Sequence, residues 1–406
     1  MPRSRDRRAT RARPDACPGA WRRHDAADGA LARFRPVGGA TTARELRLLA
    51  GAAASGGAPL ELTSRGSWQV RGLAGRTADD LADTLSVPDD PAALLDGSGR
   101  DVPCGLIASP RSTLLDEPAA RVAAGLRGRT DVPGRLLVAL EDRVSDGTSQ
   151  TLDVRDRTRS TGDVSGQGAD VTVVVTGAGS ALLLDGTDTG RRHDDPAALA
   201  LAAIDAFTTH RGTAWRVREL DDEARAAMLA DLDGVTTAGV GNDVLHPGPA
   251  DPTRLGPAAD GTLEVLPRLG EVDAPTAGAL VALLDGGATL RATPWRTLVL
   301  RGLADPAAAA DRLAGLVETD PASRWRGLSA CVGAPRCAKS LSDVRGDLAA
   351  GVASGHVGGT VRQHWVGCGR ACGTPGGRVA VVEAVAGNDE MRGTYRTVVR
   401  SGKVIE

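Results

Sequence analysis

The sequence predicts an α+β protein in which one plan occurs twice: a pseudo-twofold internal repeat, each copy a small αβ unit followed by a larger one. Three observations predict it. A segment that opens DGALARFRPVGG at 28–39 and closes TSRGSWQVRGL at 63–73 returns as DGTLEVLPRLGEV at 260–272 and TPWRTLVLRGL at 293–303. The DG pairs at 28 and 260 and the RGL triplets at 71 and 301 keep nearly the same spacing. The match then runs on more weakly, from IASPRST at 107–113 to VGAPRCAKS at 332–340, each ahead of an Ala-rich helix and a strand carrying an arginine, Arg135 or Arg362.

Within each small unit, short apolar runs alternate with Ala/Leu-rich helical stretches. In chain order the pattern predicts strands over 31–36, 60–63 and 68–70 with helices over 42–54 and 77–85. The second copy has strands over 263–267, 289–292 and 298–300 with helices over 275–284 and 306–317. Pro, Gly and Asp mark breaks near 90–100, 235–258 and 320. The expected units are therefore a disordered basic tail over 1–14, small units over 15–90 and 236–319, and larger αβ domains over 91–235 and 320–406. The polar stretch 141–168 reads as a long loop or hairpin. GAGS at 177–180 reads as a glycine turn, not a dinucleotide fingerprint.

Composition narrows the function. The 406 residues are 41% hydrophobic and 25% charged, as in ordinary globular proteins, with a net charge of −2 that argues against a generic nucleic-acid binder. A local basic pocket for an anionic small molecule stays compatible with that charge. Aromatic residues are 2%, so Ala, Val and Leu must build the core. Apolar runs such as 171–175 and 277–284 are far too short to cross a bilayer. No hydrophobic segment follows the Arg-rich start, so neither a secretory nor a twin-arginine signal is expected. A cytoplasmic protein follows, where thiols stay reduced and clustered cysteines bind metal more often than they form disulfides.

Four of six cysteines fall into two pairs, Cys331-x5-Cys337 and Cys368-x3-Cys372, each among Gly, Ala and Pro. Thiolates must converge on a compact iron–sulfur cube with backbone N–H groups close to the sulfides, and glycine permits that approach. Structural zinc prefers gaps of two to four residues, so the gap of five favours iron–sulfur over zinc without excluding zinc. Because only the second copy carries the set, one half is expected to supply metal and the other mostly walls of a site between them.

The segments ACVGAPRCAKSLSDVRGDLA at 330–349 and HWVGCGRACGTPGG at 364–377 resemble the cluster signature of the nitrite and sulfite reductase superfamily. The resemblance covers roughly 15–385. It implies paired ferredoxin-like half-domains, each followed by a larger sulfite-reductase-like αβ domain, and it makes the cluster 4Fe–4S. The chain length, RPDACPGAWRRHDAADGALARFRPVGG at 13–39 and HWVGCGRACGTPGG most resemble the superfamily's oxygen-dependent branch in aerobic cobalamin biosynthesis. That branch hydroxylates a metal-free tetrapyrrole, precorrin-3A, and closes a lactone, with electrons from an external ferredoxin or NAD(P)H-dependent reductase. It also implies a mononuclear non-haem iron, whose ligands the sequence does not place. A siroheme-dependent nitrite or sulfite reductase and an inactive metal- or tetrapyrrole-binding homologue are the alternative readings.

Other residues are weighed against plain structural roles. Arg65 and Gln69 match a Thr-x-Arg-x-x-x-Gln element that lines the superfamily's tetrapyrrole site, where arginine forks bind carboxylates; a surface strand-end arginine is the alternative. Arg135 falls where the family has a basic cluster before a strand, with Leu137 at a second basic position and Cys104-Gly105 where an Arg-Asn pair is common. Lys339, one of two lysines, follows Cys337 and is a candidate for proton delivery or a carboxylate contact. His24, His246, His356 and His364 read as solvated or core residues, and Cys17 and Cys104 as buried packing.

Overall fold

A computed structural model describes residues 15, 17–73, 75–87, 93–97, 99–143, 168–238, 253–358, 361–375, 379–386 and 394–400. The basic tail, His246 and most of the polar stretch 141–168 lie outside them; Glu141 and Asp142 end the strand Leu137–Asp142.

The two small units exchange strands. In one antiparallel sheet the order is His24–Ala26, Gly29–Phe34, Trp68–Leu73, Leu60–Leu62 and then Glu271–Val272, which comes from the second copy. In the other it is Gly256–Pro257, Leu263–Val265, Leu298–Arg301, Thr289–Ala292 and then Ala40–Thr41, from the first. The helices Ala43–Ser55 and Ala274–Asp285 lie against each other across this arrangement. Thr42 starts the former through a capping box with Glu45, and Asp273 caps the latter by accepting from the Thr276 N–H. Leu46, Leu49 and Ala53 join Leu280, Leu283 and Leu284 in one continuous core, so both copies share a single hydrophobic interior. Each fully buried leucine there contributes about 2 kcal/mol of transfer free energy. The helix from Pro306 stops at Arg312, short of 317, because the chain turns there and Gly315 takes a left-handed φ of 78°.

The larger domains repeat one sheet order. Gly105–Ala108, Leu137–Asp142 and Val171–Thr176 are parallel, and Gly179–Leu184 returns antiparallel through the 177–180 turn. In the second copy Leu328–Ala330, Gln363–Val366 and Val379–Ala384 are parallel and Tyr395–Arg400 returns. The fold is thus the α+β, internally duplicated architecture expected.

Docking is crosswise. The first larger domain ties to the second copy's sheet: Asp116 takes Arg291 at 2.9 Å and Arg301 at 2.7 Å, and Arg111 meets Glu264 at 2.8 Å. The cysteine-bearing domain ties to the first sheet. Arg345 pairs with Glu61 at 2.7 Å and with Glu271, and Arg336 lies 4.0 and 3.8 Å from the same two carboxylates. Glu61 and Glu271 are cross-strand neighbours where the exchanged strand pairs with Leu60–Leu62. Two like charges at such close range require the arginines between them.

Candidate metal centre

The cysteine pairs follow the carboxyl ends of two adjacent parallel strands. Cys331 directly follows Leu328–Ala330, and Cys368 stands two residues after Gln363–Val366. The Cys331 N–H donates to the Trp365 carbonyl (2.8 Å) and the Leu341 N–H to the Gly367 carbonyl (2.8 Å), which locks the two loops together. A Cβ at residue 367 would fall 1.7 Å from Ser340 Oγ, so only glycine lets them close. The Gly367 N–H in turn points at Cys331 Sγ, 3.3 Å away.

All four thiols are free; those of Cys331, Cys337 and Cys368 are half-buried and that of Cys372 is exposed. Burial raises the Cys372 thiol, and Cys331, Cys368 and Cys337 raise it further against the opposing pull of Arg370. Cys331 is likewise raised, first by burial, in spite of N–H groups from Gly367 and Gly333 and the nearby Arg345. Among the described residues no three His, Cys, Asp or Glu side chains close on one point as a lone metal ion demands. Four cysteines on two joined loops, with a backbone N–H aimed at the Cys331 sulfur, are a donor set that could hold an iron–sulfur cluster. The same finding leaves a mononuclear iron without a ligand set among the described residues.

The other predicted residues divide. Arg65 is half-buried, and its guanidinium donates to the Arg135 carbonyl. Burial and the like charge of Arg216 push it down to about 10, with Asp170 opposing. Arg135 itself is exposed, 3.4 Å from Asp15 and stacked on Trp215 at 4.6 Å. Gln69 accepts from Arg33 (3.0 Å) and donates to Glu61 (2.6 Å). Lys339 is exposed in the turn after Cys337. The two departures at 104–105 and 137 meet in space: a Cβ on Gly105 would lie 2.8 Å from Leu137 Cδ1, and Leu137 joins Ile107, Ala139 and Trp295 in an apolar patch.

Cys104 is buried in the first larger domain's core, and burial raises its thiol to about 12. Cys17 departs from the packing role expected of it. It is half-buried against Arg33 (3.6 Å) and Arg35 (3.8 Å); burial opposes ionisation, but Arg35, Arg33 and Arg65 outweigh it and lower the thiol's pKa. His24 and His356 are exposed. His364 is fully buried, and burial, with Arg296 next, pushes it down to about 3.

A continuous polar path joins these regions. Arg33 holds Gln69, Gln69 holds Glu61, Glu61 holds Arg345, and Arg345 Nε donates to the Cys331 carbonyl at 3.0 Å. Sequence reasoning missed Arg33, Glu61, Arg345 and Arg296. Two of them carried a signal: Arg33 lies two residues from Arg35 on a strand already assigned, and the register of the repeat places Arg296 opposite Gly66.

Strand-exchanged half-domains carry two αβ domains, one of them with four cysteines on two joined loops. The NirA protein of Mycobacterium tuberculosis shares the fold, with a TM-score of 0.60 at 18% identity over 91% of this chain and 77% of that one. In sequence the chain is similar to the precorrin-3B synthase of Sinorhizobium sp., 26% identical over 392 residues that cover 89% of this chain and 79% of that protein. Together they support the resemblance to the superfamily read from the sequence. No protein-family model matches the chain. No helix among the described residues is long and apolar enough to cross a membrane.

Proposed function

We propose that this chain is a precorrin-3B synthase-like oxidoreductase that hydroxylates precorrin-3A and closes a lactone from a ring acetate. The observation that carries the reading is the polar path from the thiol set through Arg345, Glu61 and Gln69 to the arginines of the first half-domain. Cys331, Cys337, Cys368 and Cys372 would hold a 4Fe–4S cluster, which when bound relays single electrons from an external reductase. One oxygen atom of O2 enters the substrate; the other leaves as water with two electrons and two protons.

This chain's residues supply the binding. Arg65 and Arg33, with Arg216 beside them, form a dense cationic group that suits a substrate bearing many acetates and propionates. Gln69, held between Arg33 and Glu61, keeps Arg33 oriented. Arg135 shapes the rim through Asp15 and Trp215. Lys339 stands in solvent beside Cys337, where a proton donor is in reach of water. The apolar patch around Leu137 replaces charge where anion reduction would want it, and dioxygen is neutral.

The test is anaerobic purification and spectroscopy, followed by addition of precorrin-3A, oxygen and a reductant. Product with one new hydroxyl and a lactone is the expected result. A siroheme absorption band with oxygen-independent nitrite or sulfite reduction would replace the reading with the reductase one. Cluster binding without turnover on either substrate class would leave an inactive homologue.

A further inference from the structure

The turns at 63–67 and 293–297 are the same turn in the two copies. Thr63 N–H donates to the Ser67 carbonyl (2.9 Å) and Thr293 N–H to that of Thr297 (3.1 Å). Gly66 N–H donates to the Thr63 carbonyl (3.1 Å) and Arg296 N–H to that of Thr293 (3.2 Å). Even the left-handed backbone is kept, with φ 65° at Gly66 and 64° at Arg296. Glycine adopts this conformation freely, whereas an arginine there is strained, and strain retained in a fold asks for a function.

Arg296 reaches the loop that carries Cys372. Its buried guanidinium donates through Nη2 to the Gly373 carbonyl at 2.9 Å. The preceding carbonyl, that of Cys372, is 2.9 Å from His364 Nε2, and His364 Nδ1 is 2.9 Å from Ser329 Oγ. A carbonyl can only accept, so Nε2 carries the proton and Nδ1 accepts from the serine. Ser329 lies two residues before Cys331. Two successive carbonyls of one turn are therefore held by two donors, a histidine on the domain's own sheet and an arginine from the second half-domain. Cys372 is the one exposed thiol of the four, the least fixed by packing.

We propose that Arg296 and His364 form a clamp on the Cys372–Gly373 turn and are positioning residues for Cys372 as a cluster ligand. The inference rests on the reading that the four cysteines hold an iron–sulfur cluster. By fixing both carbonyls the clamp fixes the direction of the Cys372 side chain and of the peptide dipoles beside it. It also makes the second half-domain, which supplies no cysteine, part of the ligand support. Outer partners of this kind change metal retention on the order of 10–100-fold when lost.

The experiment uses the full chain, reconstituted anaerobically, with iron and sulfide content, the electron paramagnetic resonance spectrum of the reduced cluster, iron release to a chelator and melting temperature as readouts. Arg296→Gly installs the first copy's residue, so the fold is expected to melt at the wild-type temperature. Its iron is expected to leave at least about tenfold faster, with an altered resonance spectrum. His364→Leu should do the same, while Arg296→Lys and His364→Gln, which keep a donor, should restore much of the wild-type behaviour. Wild-type release rates and spectra in both Arg296→Gly and His364→Leu would overturn the clamp. So would an Arg296→Gly chain that loses iron only in proportion to a lowered melting temperature, with no rescue by lysine. A wild-type chain that takes up no iron would overturn the cluster reading itself, and the clamp with it.

Discussion

The two copies meet their larger domains differently, although their turns are superposable in conformation. On the first copy Gly38 and Gly66 let the neighbouring domain come close: a Cβ at 38 would lie 3.2 Å from Ala119 and 3.3 Å from Ala108, and one at 66 would lie 3.3 Å from Ile107. On the second copy the same positions are Leu269 and Arg296, with φ 59° and 64°. Leu269 packs against the cysteine-bearing domain's core and Arg296 grips Gly373. Each non-glycine residue in that conformation costs about 1–2 kcal/mol. At these two positions of the first copy, close backbone packing against the neighbouring domain suffices. At the matching positions of the second copy, side chains reach to the cysteine-bearing domain, and left-handed strain is tolerated to send them.

Experiments can break or sharpen this contrast. The largest effect is expected at the thiols. Cys337→Ser or Cys368→Ser should abolish iron and sulfide content and the associated visible absorption, while Cys104→Ser in the first copy leaves both intact. Equal metal loss in all three would erase the asymmetry. Next is the anchor of the cysteine-bearing domain. Glu61→Gln leaves Arg345 and Arg71 short of a buried partner, so urea unfolding should show about 3 kcal/mol of lost stability.

Acid should mimic that change. Burial opposes ionisation of Glu61, but Arg345 and Arg71 outweigh it and hold the carboxyl below its ordinary 4.5. Its contribution is thus complete above that value and lost as pH falls below it. A wild-type-minus-Glu61→Gln stability difference that persists unchanged at pH 3 would contradict this assignment.

Gly38→Ala should cost about 1–3 kcal/mol, from contact with Ala108 and Ala119 and from φ 57°, measured by thermal unfolding. Stability equal to wild type would mean that the first interface is looser than its glycines indicate. The smallest effect is at the rim, where Trp215→Ala removes the ring under Arg135 and should lower stability by about 1 kcal/mol with iron content unchanged.

The sequence made the repeat, the helix starts at Thr42 and near Pro275, and the pairing of cysteines legible because each rests on local pattern. Strand exchange was not legible: Ala40–Thr41 and Glu271–Val272 are two-residue strands, too short to carry periodicity, and their partners lie in the other copy. Arg65 announced itself through a motif, but Glu61 reads as an ordinary polar residue between two leucines. Its importance exists only once Arg345 and Arg71 arrive from elsewhere in the chain. His364 read as a solvated or core histidine and is buried, yet the sequence did not tell that its ring spans Ser329 and Cys372. The register of the repeat does align Gly66 with Arg296, so that contrast was open to view without coordinates.

Strand exchange also sets a schedule. Ala40 has no partner until Arg291 exists, and the Leu60–Leu62 edge stays uncapped until Val272 does. At a synthesis rate of about 5–20 residues per second the first copy waits roughly 10–50 s for its missing strands. During that interval it presents an unpaired sheet edge and the apolar face of Leu46, Leu49 and Ala53. A ribosome-bound first half is therefore the species most in need of a chaperone, and a gene cut between the copies would yield two fragments, each lacking the strand that the other holds.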